Sequence, residues 1–68
     1  MIRTEDGKRV DAGDVVFNYY DGKWGTIVEG SIDAHGWFDV RHEDGTRKTL
    51  NGERISSFDP KGSRPAAV

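Results

Sequence analysis

Gly36-Trp37-Phe38-Asp39-Val40-Arg41-His42-Glu43-Asp44-Gly45-Thr46-Arg47-Lys48-Thr49-Leu50 decides the fold class. Two runs rich in β-branched and aromatic residues flank an Asp-Gly pair. That pair is the strongest short-range hairpin signal, because a tight two-residue turn wants positive φ at both central positions. In the first run, alternation puts Phe38 and Val40 on one side and Trp37, Asp39 and Arg41 on the other, so Phe38 and Val40 are expected to point inward. The neighbours Arg47 and Lys48 must face opposite sides. The same punctuation recurs at Asp6-Gly7 and Asp21-Gly22. It delimits further runs at 14–20 and 23–32, none with helical spacing.

Gly25 and Gly30 fall inside the run 23–32, and glycine within a strand marks a bulge or sharp bend. A long, bent second strand is expected. Its inward face stays open between Trp24, Thr26 and Val28 on one side and Gly25 and Ile27 on the other, which leaves Trp24 as either core or surface. Asn51-Gly52-Glu53-Arg54 reads as a single 3₁₀ turn or tight loop leading into a short closing strand over 55–58. The expected fold is therefore all-β: a strongly bent, five-stranded antiparallel barrel over residues 11–59, with Ile27, Leu50 and Ile55 joining Phe38 and Val40 in the core. Residues 1–10 are expected to be a flexible segment or a loose hairpin around Asp6-Gly7. Residues 60–68, with no apolar periodicity, are expected to form a disordered tail.

Sixty-eight residues, 34% apolar and 32% charged, give a single domain. It has roughly ten core side chains and a stability of only a few kcal/mol. Having no cysteine, the chain uses neither disulfides nor thiolate-rich zinc sites, and a reducing cytoplasm is the expected setting. Met1 to Asp6 lack the apolar stretch of a signal peptide, and no run approaches the ~20 apolar residues of a membrane span. The net charge of −2 is uneven: residues 1–40 carry four bases and eight acids, residues 41–68 six bases and four acids. That C-terminal excess is weaker than the basic footprint of an electrostatic nucleic-acid binder.

Gly13-Asp14-Val15-Val16, then Tyr20-Asp21-Gly22-Lys23-Trp24, Gly36-Trp37-Phe38-Asp39-Val40, Asp44-Gly45 and Arg54-Ile55 occur in an order that resembles the Src-homology-3-like and Tudor-like small barrels. The resemblance covers about 45 residues and implies the fold just described. In methyl-lysine-reading Tudor members a cage of rings holds a cation. By this resemblance Tyr20 and Trp24 match the first two cage positions, whereas Arg41 and Asp44 stand where further rings are expected. The pattern is also similar to the type II, plasmid-borne dihydrofolate reductases, in Gly13-Asp14-x-Val16, Trp24, Ile27-Val28 and Glu53-Arg54-Ile55. Here Asn18 stands at that family's pore lysine and Lys48-Thr49-Leu50 at its Gln-Ile-Tyr stretch, so what the likeness implies is a shared fold and a habit of oligomerising.

Tyr19, Tyr20, Trp24 and Trp37 are more large rings than so small a core can absorb, and Tyr19 and Tyr20 must face opposite sides of their strand. They are expected to line a surface groove for a peptide, with Arg41 or Arg47 fixing its orientation. Rings capping the barrel ends are the plain alternative. The leading expectation is a non-catalytic module for protein or peptide binding. The alternatives are a nucleic-acid module, with rings on bases and Arg47, Lys48 and Arg54 on phosphates, and an oligomeric structural protein of phage or mobile-element origin. His35 and His42 lack metal-ligand spacing, Ser56 and Ser57 form no catalytic motif, and the dispersed glycines cradle no phosphate. No metal, cofactor or enzymatic activity is expected.

Overall fold

A computed structural model describes residues 2–65. It contains seven strands: β1 (Ile2–Arg3), β2 (Arg9–Val10), β3 (Val15–Asn18), β4 (Lys23–Ile27), β5 (Phe38–His42), β6 (Arg47–Leu50) and β7 (Ile55–Ser56). A 3₁₀ turn, Gly52–Arg54, precedes β7. β1 and β2 pair as a hairpin; the other five strands form one antiparallel sheet in the order β6-β5-β4-β3-β7. This sheet curls through 204° into a half-barrel. Among the described residues no helix is long and apolar enough to cross a membrane.

The curl encloses Val16, Ile27, Phe38, Val40, Leu50 and Ile55, all essentially inaccessible, together with Ile2 from the N-terminal hairpin. Alternation along β5 falls as expected, with Phe38 and Val40 both fully buried. Register settles the face of β4: Val16 opposes Gly25 and Ile27 opposes Val40, so Gly25 and Ile27 face inward. Gly25 pairs on both sides, with Val16 and His42, and forms no bulge. Its role is close approach: a Cβ there would lie 2.6 Å from Val40 Cγ1 and 2.8 Å from the Arg41 carbonyl oxygen.

β4 ends at Ile27 rather than running to Ile32. Ser31 explains the stop: its hydroxyl donates to the Val28 carbonyl at 2.6 Å and accepts the Asp39 N–H at 3.0 Å, taking over positions a continuing strand would use. The Asp-Gly turns also differ from the two-residue form, since among the described residues none other than glycine has positive φ. At Asp44-Gly45, the Gly45 N–H bonds His42 O while the His42 N–H bonds Thr46 O. That is a three-residue loop of the glycine-bulge kind, in which only the glycine is left-handed. Thr4 to Lys8 repeat this pattern.

Residues 2–10, read from sequence as a flexible segment or loose hairpin, pair Ile2 with Val10 and Arg3 with Arg9. They are stitched to the far end of the sheet. The Glu5 N–H donates to Ile55 O at 2.8 Å, and the Asp6 carboxylate accepts from Thr4 Oγ1, the Ser57 N–H and Ser57 Oγ. Gly52 packs against this hairpin so closely that a Cβ would sit 2.1 Å from the Arg3 carbonyl oxygen. Of the tail 60–68, residues 60–65 are described. Asp59 accepts the Lys61 and Ser63 N–H groups, and Gly62 N–H bonds Asp59 O, so the chain folds back as a turn.

Candidate functional site

The β3–β4 connection carries Tyr19 and Tyr20, and a buried asparagine shapes it. Asn18 Oδ1 accepts the N–H groups of Tyr20 (3.1 Å) and Asp21 (3.3 Å), while Gly22 N–H closes onto Asn18 O. Asn18 Nδ2 therefore remains to donate, and it meets His42 Nε2 at 3.1 Å. His42 Nδ1 faces Thr46 Oγ1 at 3.0 Å, and that hydroxyl donates to Asp44. This directionality assigns His42 the neutral Nδ1–H tautomer. His42 is thus a buried bracket between the two loops flanking the β4–β5 pair.

Three segments meet beside the Tyr19-Tyr20 turn. The Tyr19 hydroxyl donates to the Glu53 carbonyl, which ties the turn to the 3₁₀ segment. Within that segment Asn51 Oδ1 caps the Glu53 N–H and Arg54 N–H bonds Asn51 O. The Arg54 guanidinium consequently lies over the Tyr20 ring, 5.0 Å from its centroid, and over the Trp37 ring at 6.0 Å. Tyr19 and Tyr20 are themselves in tilted contact, with centroids 5.0 Å apart. Trp37 is placed by the loop before β5, where Asp33 Oδ1 accepts the N–H groups of His35 (2.8 Å) and Trp37 (2.9 Å). Those same bonds, Trp37 first, hold the Asp33 carboxyl below the usual carboxylate range. Burial, followed by the Tyr20 phenol and the Glu5 and Glu53 carboxylates, pushes the Tyr19 phenol upward.

The cluster is open to solvent: Tyr20 is 62% exposed and Trp37 37%. A cation over exposed rings is worth about 0.5–1 kcal/mol per pair. That is enough to bias Arg54 toward the rings while leaving it displaceable. Sequence reasoning placed Tyr19, Tyr20 and Trp37 in one groove, and the structure brings these three together. It missed Arg54 as their partner, naming that residue only in the nucleic-acid alternative, on phosphates. The available signal was its place at the end of a 3₁₀ turn, a connection that must pass close to the neighbouring turns.

Trp24 stands elsewhere. It opposes Phe17 on the sheet face away from the core, ring centroids 5.2 Å apart, yet it is only 8% exposed. The cover is the C-terminal turn: Trp24 Nε1 donates to Ser63 Oγ at 3.0 Å, and Phe58 and Pro65 line the space beside it. So Trp24 is buried without being in the barrel core, and Tyr20 and Trp24 do not make the ring pair that the Tudor resemblance implies. Arg41 and Arg47 also take other neighbours. They oppose each other across β5 and β6 on the outer face; Arg47 turns to Asp39 at 2.8 Å, and Thr49 Oγ1 shares that carboxylate. Arg41 borders a broad outer-face depression of about 670 Å³, whose other walls include Val15, Thr26, Val28 and Pro65. Lys48 pairs with Asp21 at 3.4 Å.

The fold and the ring cluster together define a small, curled antiparallel β half-barrel bearing an aromatic cluster beside its 3₁₀ turn. No protein-family model, curated protein or solved structure matches the chain.

Proposed function

We propose that this chain is a small barrel of the Src-homology-3/Tudor kind that serves as a non-catalytic protein- or peptide-binding module, with Tyr19, Tyr20, Trp37 and Arg54 as its contact surface. The sheet order, and a 3₁₀ turn just before the closing strand, support the barrel type. The single observation that carries the binding reading is the gathering of three exposed rings and one guanidinium from three separate segments, each held by its own side-chain cap. Rings that merely sealed a barrel end would be buried; Tyr20 is 62% exposed, and Tyr19 and Trp37 each keep 37% of their surface in solvent. Large, rigid, half-exposed aromatics with an arginine are the residue types that anchor protein interfaces. Arg47 and Lys48 are engaged by Asp39 and Asp21, which weakens the phosphate-binding alternative.

Immobilised wild-type chain should retain its cellular protein partners, whereas Tyr20→Ala and Trp37→Ala should release them with the fold intact by circular dichroism. Arg41→Ala, on the outer face, should retain them. Equal retention by all three variants overturns the proposal.

A further inference from the structure

The contact surface has a polarity. Arg54 lies over two ring faces, its guanidinium carbon 5.0 Å and 6.0 Å from their centroids, and a guanidinium carries its N–H donors as a planar fork that contact with a ring face does not use up. Among the described residues no carboxylate lies within 4.0 Å of that fork, although Glu53 is its neighbour in the 3₁₀ turn; the ion pairs run instead between Lys23 and Asp44, Arg47 and Asp39, and Lys48 and Asp21. We infer, on the footing of the peptide-binding reading above, that the ring cluster is an acceptor for an acidic side chain: an extended protein segment places an Asp or Glu carboxylate in the Arg54 fork and its flanking residues on Tyr20 and Trp37.

Charge complementarity selects this occupant over two others. A cationic side chain seeking the same ring faces meets the charge of Arg54 already over both of them. A polyanion such as a nucleic acid brings a row of phosphates toward Glu5 and Glu53, whose charges are felt at adjacent Tyr19, on a chain of net charge −2. A single carboxylate needs only the fork, and a bidentate guanidinium–carboxylate pair is among the stronger and more directional contacts available. The site is also preorganised. Asn18 fixes the Tyr20 backbone, Asp33 fixes that of Trp37, and Asn51 with the Tyr19 hydroxyl fixes the turn that bears Arg54. Binding therefore orders little of the protein itself.

The test is an NMR titration of the ¹⁵N-labelled full chain with three capped peptides, Ac-PAEAP-NH₂, Ac-PAQAP-NH₂ and Ac-PARAP-NH₂, and with a thymidine hexanucleotide. The Glu peptide is expected to shift the Tyr20 amide, the Trp37 indole and the Arg54 Nε–H, and to bind at least tenfold more tightly than the Gln peptide. Arg54→Gln should abolish that discrimination and Arg54→Lys should retain part of it, both with wild-type amide dispersion. Equal binding of the Glu and Gln peptides at Tyr20 and Trp37 overturns the acidic preference and leaves the groove standing. Tighter binding of the Arg peptide or the oligonucleotide overturns it in favour of those partners. No shift with any probe at millimolar concentration removes both the preference and the groove.

Discussion

Replacing Gly25 by alanine places a methyl group where the sheet has no room. The new Cβ would approach Val40 Cγ1 to 2.6 Å and the Arg41 carbonyl oxygen to 2.8 Å, against the 3.4 Å at which ordinary contact begins. A rotation of Val40 relieves the first contact, but Val40 is fully buried, so turning it disturbs the packing around it. The second contact is with backbone and yields only if β4 and β5 separate by several tenths of an ångström at the centre of the sheet. Overpacking of this kind costs about 1–3 kcal/mol, and a backbone obstacle belongs at the upper end. Relief of glycine's chain entropy works the other way by roughly 0.5–1 kcal/mol. The net expectation is a loss of about 2 kcal/mol, a large share of what so small a domain has, with a melting temperature lower by about 10–15 °C. Urea unfolding followed by tryptophan fluorescence and by circular dichroism should show an earlier midpoint with an unchanged slope. Gly25→Ala combined with Val40→Ala should recover only the side-chain part of the clash. A Gly25→Ala chain as stable as the parent would refute the close-approach reading.

Three further outcomes follow from particular contacts. Burial opposes ionisation of Asp6, but the Ser57 and Thr4 hydroxyls and the Ser57 N–H outweigh it and lower its carboxyl from 3.8 to about 2. A depressed carboxyl stabilises the fold above its unfolded value and loses that contribution as pH falls through its folded one, so Asp6→Asn should cost about 1 kcal/mol at neutral pH, a figure discounted for solvent screening, and less and less between pH 4 and 2; a gap unchanged across that window would count against the stitch. Asp33→Ala should free the Trp37 loop and weaken peptide binding several-fold while moving the melting temperature by no more than a few degrees, and an unaltered affinity would show that Trp37 needs no such positioning. Removing residues 60–68 should shift tryptophan emission to the red as Trp24 loses its cover; an unchanged spectrum would place the indole elsewhere.

The β-rich class, Phe38 and Val40 inside, and a bent antiparallel sheet of five strands punctuated by Asp-Gly turns were legible because alternation and turn chemistry are local properties. Gly30 and Ser31 misled because a glycine in an apolar run is consistent with either a bend or a stop. A hydroxyl that takes over ladder positions, as Ser31 does for Val28 and Asp39, leaves no periodic mark. Trp24 was undecidable from its strand, since its burial depends on Ser63, thirty-nine residues away. Ile2 and Arg54 were missed for the same reason. Each is placed by a contact between distant segments, Ile2 against the curl and Arg54 against rings from two loops, and pattern along the chain is silent on such meetings.

The contact of Gly52 with the Arg3 carbonyl joins the two ends of the domain at the turn that carries Arg54. The ring cluster is thus a keystone arrangement: Tyr20 and Trp37 are set by loops internal to the sheet, but the guanidinium over them rests on a turn braced from behind by Ile2 and Arg3. An extension added ahead of Ile2 that pulled this hairpin away would leave the core strands paired and the rings in place while blurring the one charged group among them. Residues 2 and 3, remote in sequence from every ring, would then decide how firmly Arg54 is held above them.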